Sequence, residues 1–203
     1  METSIILSVT AVIAILLLWI SKLKKTIKEL TITKNQLQHE TEHDTLTGLA
    51  NGTLLMDRLN QSIKNAKRYK KKIAVLYLNV DHFKKVNDSL GTNIGDELLQ
   101  ALAKKLVNNL RQSDTVARIG GDEFIVILDH FEDASFVTLV VDKIIQLSKK
   151  AFTIQENEIN ITFSIGVSIY PDTDTNPKAL LESASIAMHN VKQSSRDGYK
   201  IHT

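Results

Sequence analysis

The chain has 203 residues, 43% of them apolar, with 25 Lys and Arg against 23 Asp and Glu and no cysteine. That length and apolar content support one ordinary core plus an appendage, and they exclude a disordered chain. The absence of cysteine excludes disulfides and thiolate metal sites and permits a reducing compartment, while a formal net charge of +2 gives no argument for nucleic acid, so none is expected as a partner.

From Ile5 to Ile20 only Ser8 and Thr10 interrupt an apolar run, and Lys22, Lys24 and Lys25 follow it directly. A cleaved signal peptide would want a basic segment before the run, where Glu2 is the only charge. A buried core helix would rarely be apolar on every face. Residues 1–21 are therefore predicted to be one transmembrane helix, single-pass in the inner (cytoplasmic) membrane, with the lysines holding the remainder in the cytoplasm. Residues 22–42 read as a helical stalk. Leu23, Ile27, Leu30 and Leu37 fall on heptad a and d positions, with Lys34 at the skipped one. A short parallel coiled coil and a merely amphipathic stalk both fit so short a pattern.

The rest, 43–203, alternates helix and strand. A helix is predicted over 52–69 through Leu55, Leu59, Ile63 and Ala66, ending in the basic run Lys67 to Lys72, which suits a solvated helix C-terminus. "KIAVLYLNV" (72–80) is a buried-strand run, and Leu98, Leu99, Leu102, Leu106 and Leu110 give helical spacing over 93–111. "TVARI" and "EFIVIL" are two strands joined across Gly120 and Gly121, a hairpin signal. A helix at about 133–150, a strand "INITFSIGVSIY", a helix at about 177–193 and a closing strand near Tyr199 to His202 complete the chain.

From residue 72 this order is β-α-β-β-α-β, a split βαβ, ferredoxin-like antiparallel sheet flanked by helices in the α/β (α+β) class. In that topology the third strand lies antiparallel beside the first. Asn79, Val80 and Asp81 are then expected next to Asp122 and Glu123 at one edge of the sheet. Oxygen ligands converging there are a way to hold Mg²⁺ with substrate phosphates, and such a site can stabilise phosphoryl or nucleotidyl transfer. Two solvated acids at a hairpin remain the plain alternative on this geometry alone.

Several separated motifs narrow the choice: "HDTLTGLAN" (43–51), "VDHFKKVNDSLG" (80–91), "GDELL" (95–99), "RQSD" (111–114), "GGDEF" (120–124), and the late Lys192 and Arg196. Together they resemble the GGDEF domain, or diguanylate cyclase, family, whose members condense two GTP into cyclic di-GMP on a nucleotidyl-cyclase-like palm. The resemblance implies that Asp122 binds the metal, Mg²⁺ or Mn²⁺, with the main-chain oxygen of Val80 and with Glu123 and Asn79 at the same centre. It implies that Glu123 helps activate a ribose 3′-hydroxyl, and that Asn87 and Asp96 read guanine. It further implies that the segment at Phe83 and Lys84 offers amides to the phosphates, which Lys192 and Arg196 neutralise. Taken singly, Asn87 and Asp96 could cap or begin helices, and Lys192 could be a solvated lysine. Arg111 and Asp114 of "RQSD" match the family's inhibitory site for its product, and two nucleotides meeting face to face imply a homodimer.

The chain also departs from the family pattern. Asn79 stands where active members carry an aspartate ligand, Thr92 replaces a histidine, Gly52 an arginine, and Ser195 and Asp197 flank Arg196 where "GRN" is typical. An amide oxygen can coordinate a cation but brings it no charge. Two functions therefore follow from the sequence: a membrane-anchored, metal-dependent, product-inhibited diguanylate cyclase, or a weak or inactive GGDEF module that binds GTP or cyclic di-GMP and signals. A phosphodiesterase is not expected from these 203 residues, which hold no second domain of the required size.

Overall fold

The computed structural model describes residues 19–31, 33 and 41–202. The chain divides into two compact units, Met1–Thr41 and Glu42–Thr203.

In the first unit, residues 19–31 and 33 are helical (α1). Leu23, Ile27 and Leu30 of the expected heptad seam are 58%, 56% and 64% exposed, and Lys34 and Leu37 lie outside the described residues. Among the described residues no helix is long and apolar enough to cross a membrane. The expected single-pass anchor and its inner-membrane localisation are corrected accordingly. Most of the run on which that expectation rested, residues 1–18, lies outside the described residues.

The second unit runs α2 (Gly52–Tyr69), β1 (Lys72–Val80), α3 (Phe83–Leu90), α4 (Thr92–Asn109), β2 (Thr115–Gly120), β3 (Glu123–Phe131), α5 (Ser135–Ser148), β4 (Phe152–Ile154), β5 (Asn157–Ile159), β6 (Phe163–Tyr170), α6 (Pro177–Ser194) and β7 (Gly198–Ile201). Five strands form one mixed sheet in the order β2-β3-β1-β6-β7, antiparallel except for the β6–β7 pair, and β4–β5 is a separate hairpin. The split βαβ order expected from the sequence is present with two additions. The first crossover contains α3 as well as α4, and the β4–β5 hairpin precedes β6.

Strand alternation divides the core in two. Ala74, Leu76, Leu78, Val80, Phe124, Val126 and Leu128 pack in one cluster with Leu98, Leu102 and Leu106 of α4 and Val137, Val141 and Ile144 of α5. Ile73, Val75, Ile125 and Ile127 pack in the other with Leu55 and Leu59 of α2 and Leu180 and Ala184 of α6. Each such fully buried Val, Leu, Ile or Phe side chain contributes about 1.5–3 kcal/mol, so both faces of the central strands are held against movement. Helix ends are fixed locally: Asn51 accepts from the amides of Thr53 and Leu54 at the start of α2, and Asn176 does the same for Lys178 and Ala179 at α6.

Gly166 decides how closely α6 approaches. A Cβ there would lie 1.9 Å from the Ala184 carbonyl oxygen and 2.2 Å from the Met188 nitrogen, so only glycine lets the helix backbone rest on β6.

Candidate active site at one end of the sheet

The register of β1 with β3 sets Asn79 directly opposite Glu123, and the Val80 amide donates to the Asp122 carbonyl at 3.2 Å. On the other side of β1, Val80 pairs with Phe163, and Ser164 of β6 pairs with Gly198 of β7. The same end of the sheet therefore collects Asn79, Val80, Asp122, Glu123 and the α6–β7 turn that carries Arg196. The GGDEF turn itself needs glycine: Gly120 and Gly121 have φ of 145° and 50°.

Arg118 fixes that turn. Its guanidinium donates to both carboxylate oxygens of Asp44, at 3.0 and 2.9 Å, and to the Gly121 carbonyl, at 3.0 and 2.7 Å. Burial pushes the Asp44 carboxyl upward, but hydrogen bonds from Thr47 and Arg118 outweigh it and hold the group below its ordinary value.

Asn79 is 2% exposed, and its Oδ1 has no hydrogen-bond partner. A buried, unpaired amide oxygen costs about 1–3 kcal/mol unless a ligand meets it. Opposite it, Glu123 is held: the Tyr77 hydroxyl donates to Glu123 Oε2 at 2.9 Å. Burial, and then the hydrogen bond to Glu123 and its charge, push the Tyr77 phenol well above its ordinary range, so it stays a donor. The donor set here is two carboxylates, an amide oxygen and a main-chain carbonyl. Among the described residues no group of three or more His, Asp or Glu side chains converges as a metal site. An all-oxygen set with one or two carboxylates nonetheless fits Mg²⁺, which binds with few protein ligands when phosphates complete its shell.

Asp81 does not join these acids as expected. It is 3% exposed, and its carboxylate accepts from the Thr162 and Ser164 hydroxyls, both at 2.7 Å, and from the Asp197 amide at 3.2 Å. Asp81 thus ties the end of β1 to β6 and to the turn after α6. That tie holds Arg196, whose φ is 55°, near the end of β1, while Lys192 lies half-buried in the last turn of α6.

Asn87 and Asp96 cap no helix. Asn87 lies inside α3 and Asp96 lies more than a turn into α4, exposed. The Asn87 Oδ1 is buried and unpartnered, and it occupies the space over Gly95, where a Cβ would fall 1.9 Å from it. Gly95 thereby brings the Asn87 amide against the segment that carries Asp96. Phe83 and Lys84 open α3 after His82, which makes no side-chain cap, so the first amides of that helix face no capping oxygen from it.

"RQSD" lies at the other end of the hairpin. Asp114 accepts from the Arg111 amide at 2.9 Å and from the Asp129 amide at 3.3 Å, six residues along β3 from Glu123, or about 20 Å at the usual rise. Burial raises the Asp114 carboxyl, and those amide bonds oppose it. The Arg111 guanidinium sits 4.2 Å from the Phe136 ring centroid, beside a groove of about 260 Å³ lined by Asp114, Leu139 and Lys143.

Sequence reasoning passed over two residues of this architecture. Tyr77 reads as one more member of an apolar run, although a phenol inside such a run must find a partner, and its position two before Asn79 puts it on the Glu123 face. Arg118 carries no signal of its own until the turn geometry is known.

The family of the chain is clear from its relatives. The "Diguanylate cyclase, GGDEF domain" family matches residues 41–198, and the chain belongs to that family. It is 40% identical over 157 residues to the bifunctional diguanylate cyclase/cyclic di-GMP phosphodiesterase MucR of Pseudomonas aeruginosa, covering 77% of this chain and 23% of MucR. It is 33% identical over 166 residues to the diguanylate cyclase TpbB of the same organism, covering 81% of this chain and 38% of TpbB. The chain thus spans well under half the length of these relatives. Among solved structures, the isolated GGDEF domain of TpbB superposes with a TM-score of 0.77 at 33% identity, covering 79% of this chain and 94% of that one. The GGDEF domain of DgcB from Caulobacter crescentus, in complex with c-di-GMP, gives 0.73 at 26% identity, covering 80% and 93%.

Proposed function

We propose that this chain is a metal-dependent diguanylate cyclase that joins two GTP molecules into cyclic di-GMP with release of pyrophosphate. The observation that carries the reading is the buried Asn79 Oδ1, left without a partner opposite a Glu123 that is already fixed. A fold that leaves such an atom unpaired gains when a ligand arrives there.

Glu123 is the base, taking the proton of a ribose 3′-hydroxyl as that oxygen attacks the α-phosphate of the other nucleotide. Pyrophosphate leaves, and a second such step closes the ring. Asp122, Glu123, the Val80 carbonyl and the Asn79 amide would hold Mg²⁺ or Mn²⁺, which when bound would supply positive charge against the reacting phosphate and its leaving group. The uncapped amides at Phe83 and Lys84 face phosphate oxygens at a helix N-terminus, with Lys192 and Arg196 as counter-charges. Asn87 and Asp96 hold the guanine edge, an acceptor–donor pairing that an amide and a carboxylate can make.

Each domain supplies one nucleotide, so the active species is a homodimer, and specific activity rises with protein concentration. The product binds at Arg111 and Asp114 and lowers turnover. Incubating the full chain with GTP and Mg²⁺ and separating the nucleotides tests this reading: cyclic di-GMP and pyrophosphate form, and Glu123→Gln removes both. A second reading rests on Asn79 itself. Its neutral amide, where the family pattern has a carboxylate, favours a GGDEF module that binds nucleotide and signals without turnover.

A further inference from the structure

Tyr77 occupies a position that the reaction as written does not use. Its neighbour across β1–β6 is Gly166, the residue that lets the α6 backbone settle onto the sheet. With α6 that close, Ser185 lies on the helix packed beside the Tyr77 phenol, and the phenol donates to Glu123 Oε2 at 2.9 Å. The phenol thus ties β1 to the carboxylate at the start of β3, on the side that faces α6. Phenylalanine would fill the same half-buried space, so the ring alone does not account for the hydroxyl.

We infer that Tyr77 is a positioning residue for Glu123: its hydroxyl, steadied by Ser185, pins Oε2 and leaves Oε1 as the oxygen that meets substrate or cation. This inference rests on the cyclase reading of the same site and adds a residue to it. The physical ground is the neighbouring Asn79. The family's aspartate at that position would offer a second charged oxygen beside Glu123, whereas here a neutral amide stands there, and correct placement of the remaining carboxylates matters more. Among charged groups nearby, Arg118 is committed to Asp44 and Gly121. The phenol's hydrogen bond goes to Glu123 itself.

The test uses the full chain and Tyr77→Phe, with Ser185→Ala as a second variant that leaves the ring in place. A hydrogen bond to a charged group is worth about 1.5–3 kcal/mol, which sets the scale at roughly tenfold or more. Tyr77→Phe is expected to lower kcat about tenfold while the KM for GTP stays within about twofold, and Ser185→Ala to act in the same direction more weakly. Mn²⁺ affinity of the protein, read by electron paramagnetic resonance, is expected to fall severalfold in Tyr77→Phe. This second readout does not depend on turnover. Should native protein bind Mn²⁺ yet form no product, the cyclase reading fails, and the positioning inference stands or falls on the Mn²⁺ difference. Unchanged kcat and unchanged Mn²⁺ affinity in a folded Tyr77→Phe overturn it. If that variant does not fold, Ser185→Ala with native kcat and native Mn²⁺ affinity overturns it equally.

Discussion

The two ends of the β2–β3 hairpin carry polar motifs of similar composition in opposite states. At the Glu123 end, Asn79 Oδ1 and, in the adjoining α3–α4 pair, Asn87 Oδ1 are buried without partners. At the Asp114 end both Asp114 carboxylate oxygens are taken by backbone amides, the buried Asp129 Oδ1 lies 2.8 Å from His130 Nδ1, and Arg111 lies over Phe136. The first end has unmet hydrogen-bonding capacity inside rigid elements, so a ligand can complete it with little rearrangement. At the second, the guanidinium is already engaged with an aromatic ring, and the carboxylate with amides. On the proposed reading, the first end takes the substrate with little rearrangement and the second takes the regulator at a cost.

That contrast can be broken at either end. The largest effect is expected from Arg111→Ala, which removes a forked cation from the second end. Affinity for cyclic di-GMP should fall roughly ten- to hundredfold by calorimetry, with GTP affinity unchanged. Equal loss of both would show that the two ends are not separate sites. A smaller effect is expected from Gly95→Ala, whose Cβ would meet the Asn87 side chain at 1.9 Å. Because that neighbour is a movable amide, the fold should survive while the amide is displaced, raising the KM for GTP about tenfold and leaving cyclic di-GMP affinity alone.

The smallest effect concerns the Arg118 brace behind the GGDEF turn. The Asp44 carboxyl is held below its ordinary 3.8, so its contribution is complete above that value and is lost as pH falls through the lowered one. Native Tm should exceed that of Asp44→Asn by a few degrees at neutral pH, and the gap should close below about pH 3.8. A gap that persists at lower pH would remove the ion pair from the account.

Much of this arrangement was legible in the sequence. The runs at 72–80 and 123–128 and the helices at 52–69 and about 177–193 carry strong periodicity or caps, and the antiparallel pairing of β1 with β3 follows from their order. The helix α3 was not legible. It has eight residues, most of them polar, and opens after His82 in the left-handed region with no capping side chain. The β4–β5 hairpin escaped for a similar reason: its strands have three residues each, and Gln155, not glycine, takes the positive φ of the turn. Asp81 was assigned to the wrong neighbours because one-dimensional spacing groups it with Asn79. Its actual partners, Thr162, Ser164 and Asp197, are each more than eighty residues away. Tyr77 was invisible as a functional residue until the register put it on the Glu123 face.

The central claim is that the Glu123 end is a catalytic metal site weakened at one ligand, Asn79. Replacing that neutral oxygen by a carboxylate should strengthen an ion-assisted contact worth about 1.5–3 kcal/mol, or roughly ten- to hundredfold. The most direct measurement is the rate of cyclic di-GMP formation from GTP and Mg²⁺ by native protein and by Asn79→Asp under identical conditions. Slow native turnover, partly improved by Mn²⁺ and raised at least tenfold by the substitution, is the predicted result. A folded, GTP-binding Asn79→Asp that forms no product would contradict it.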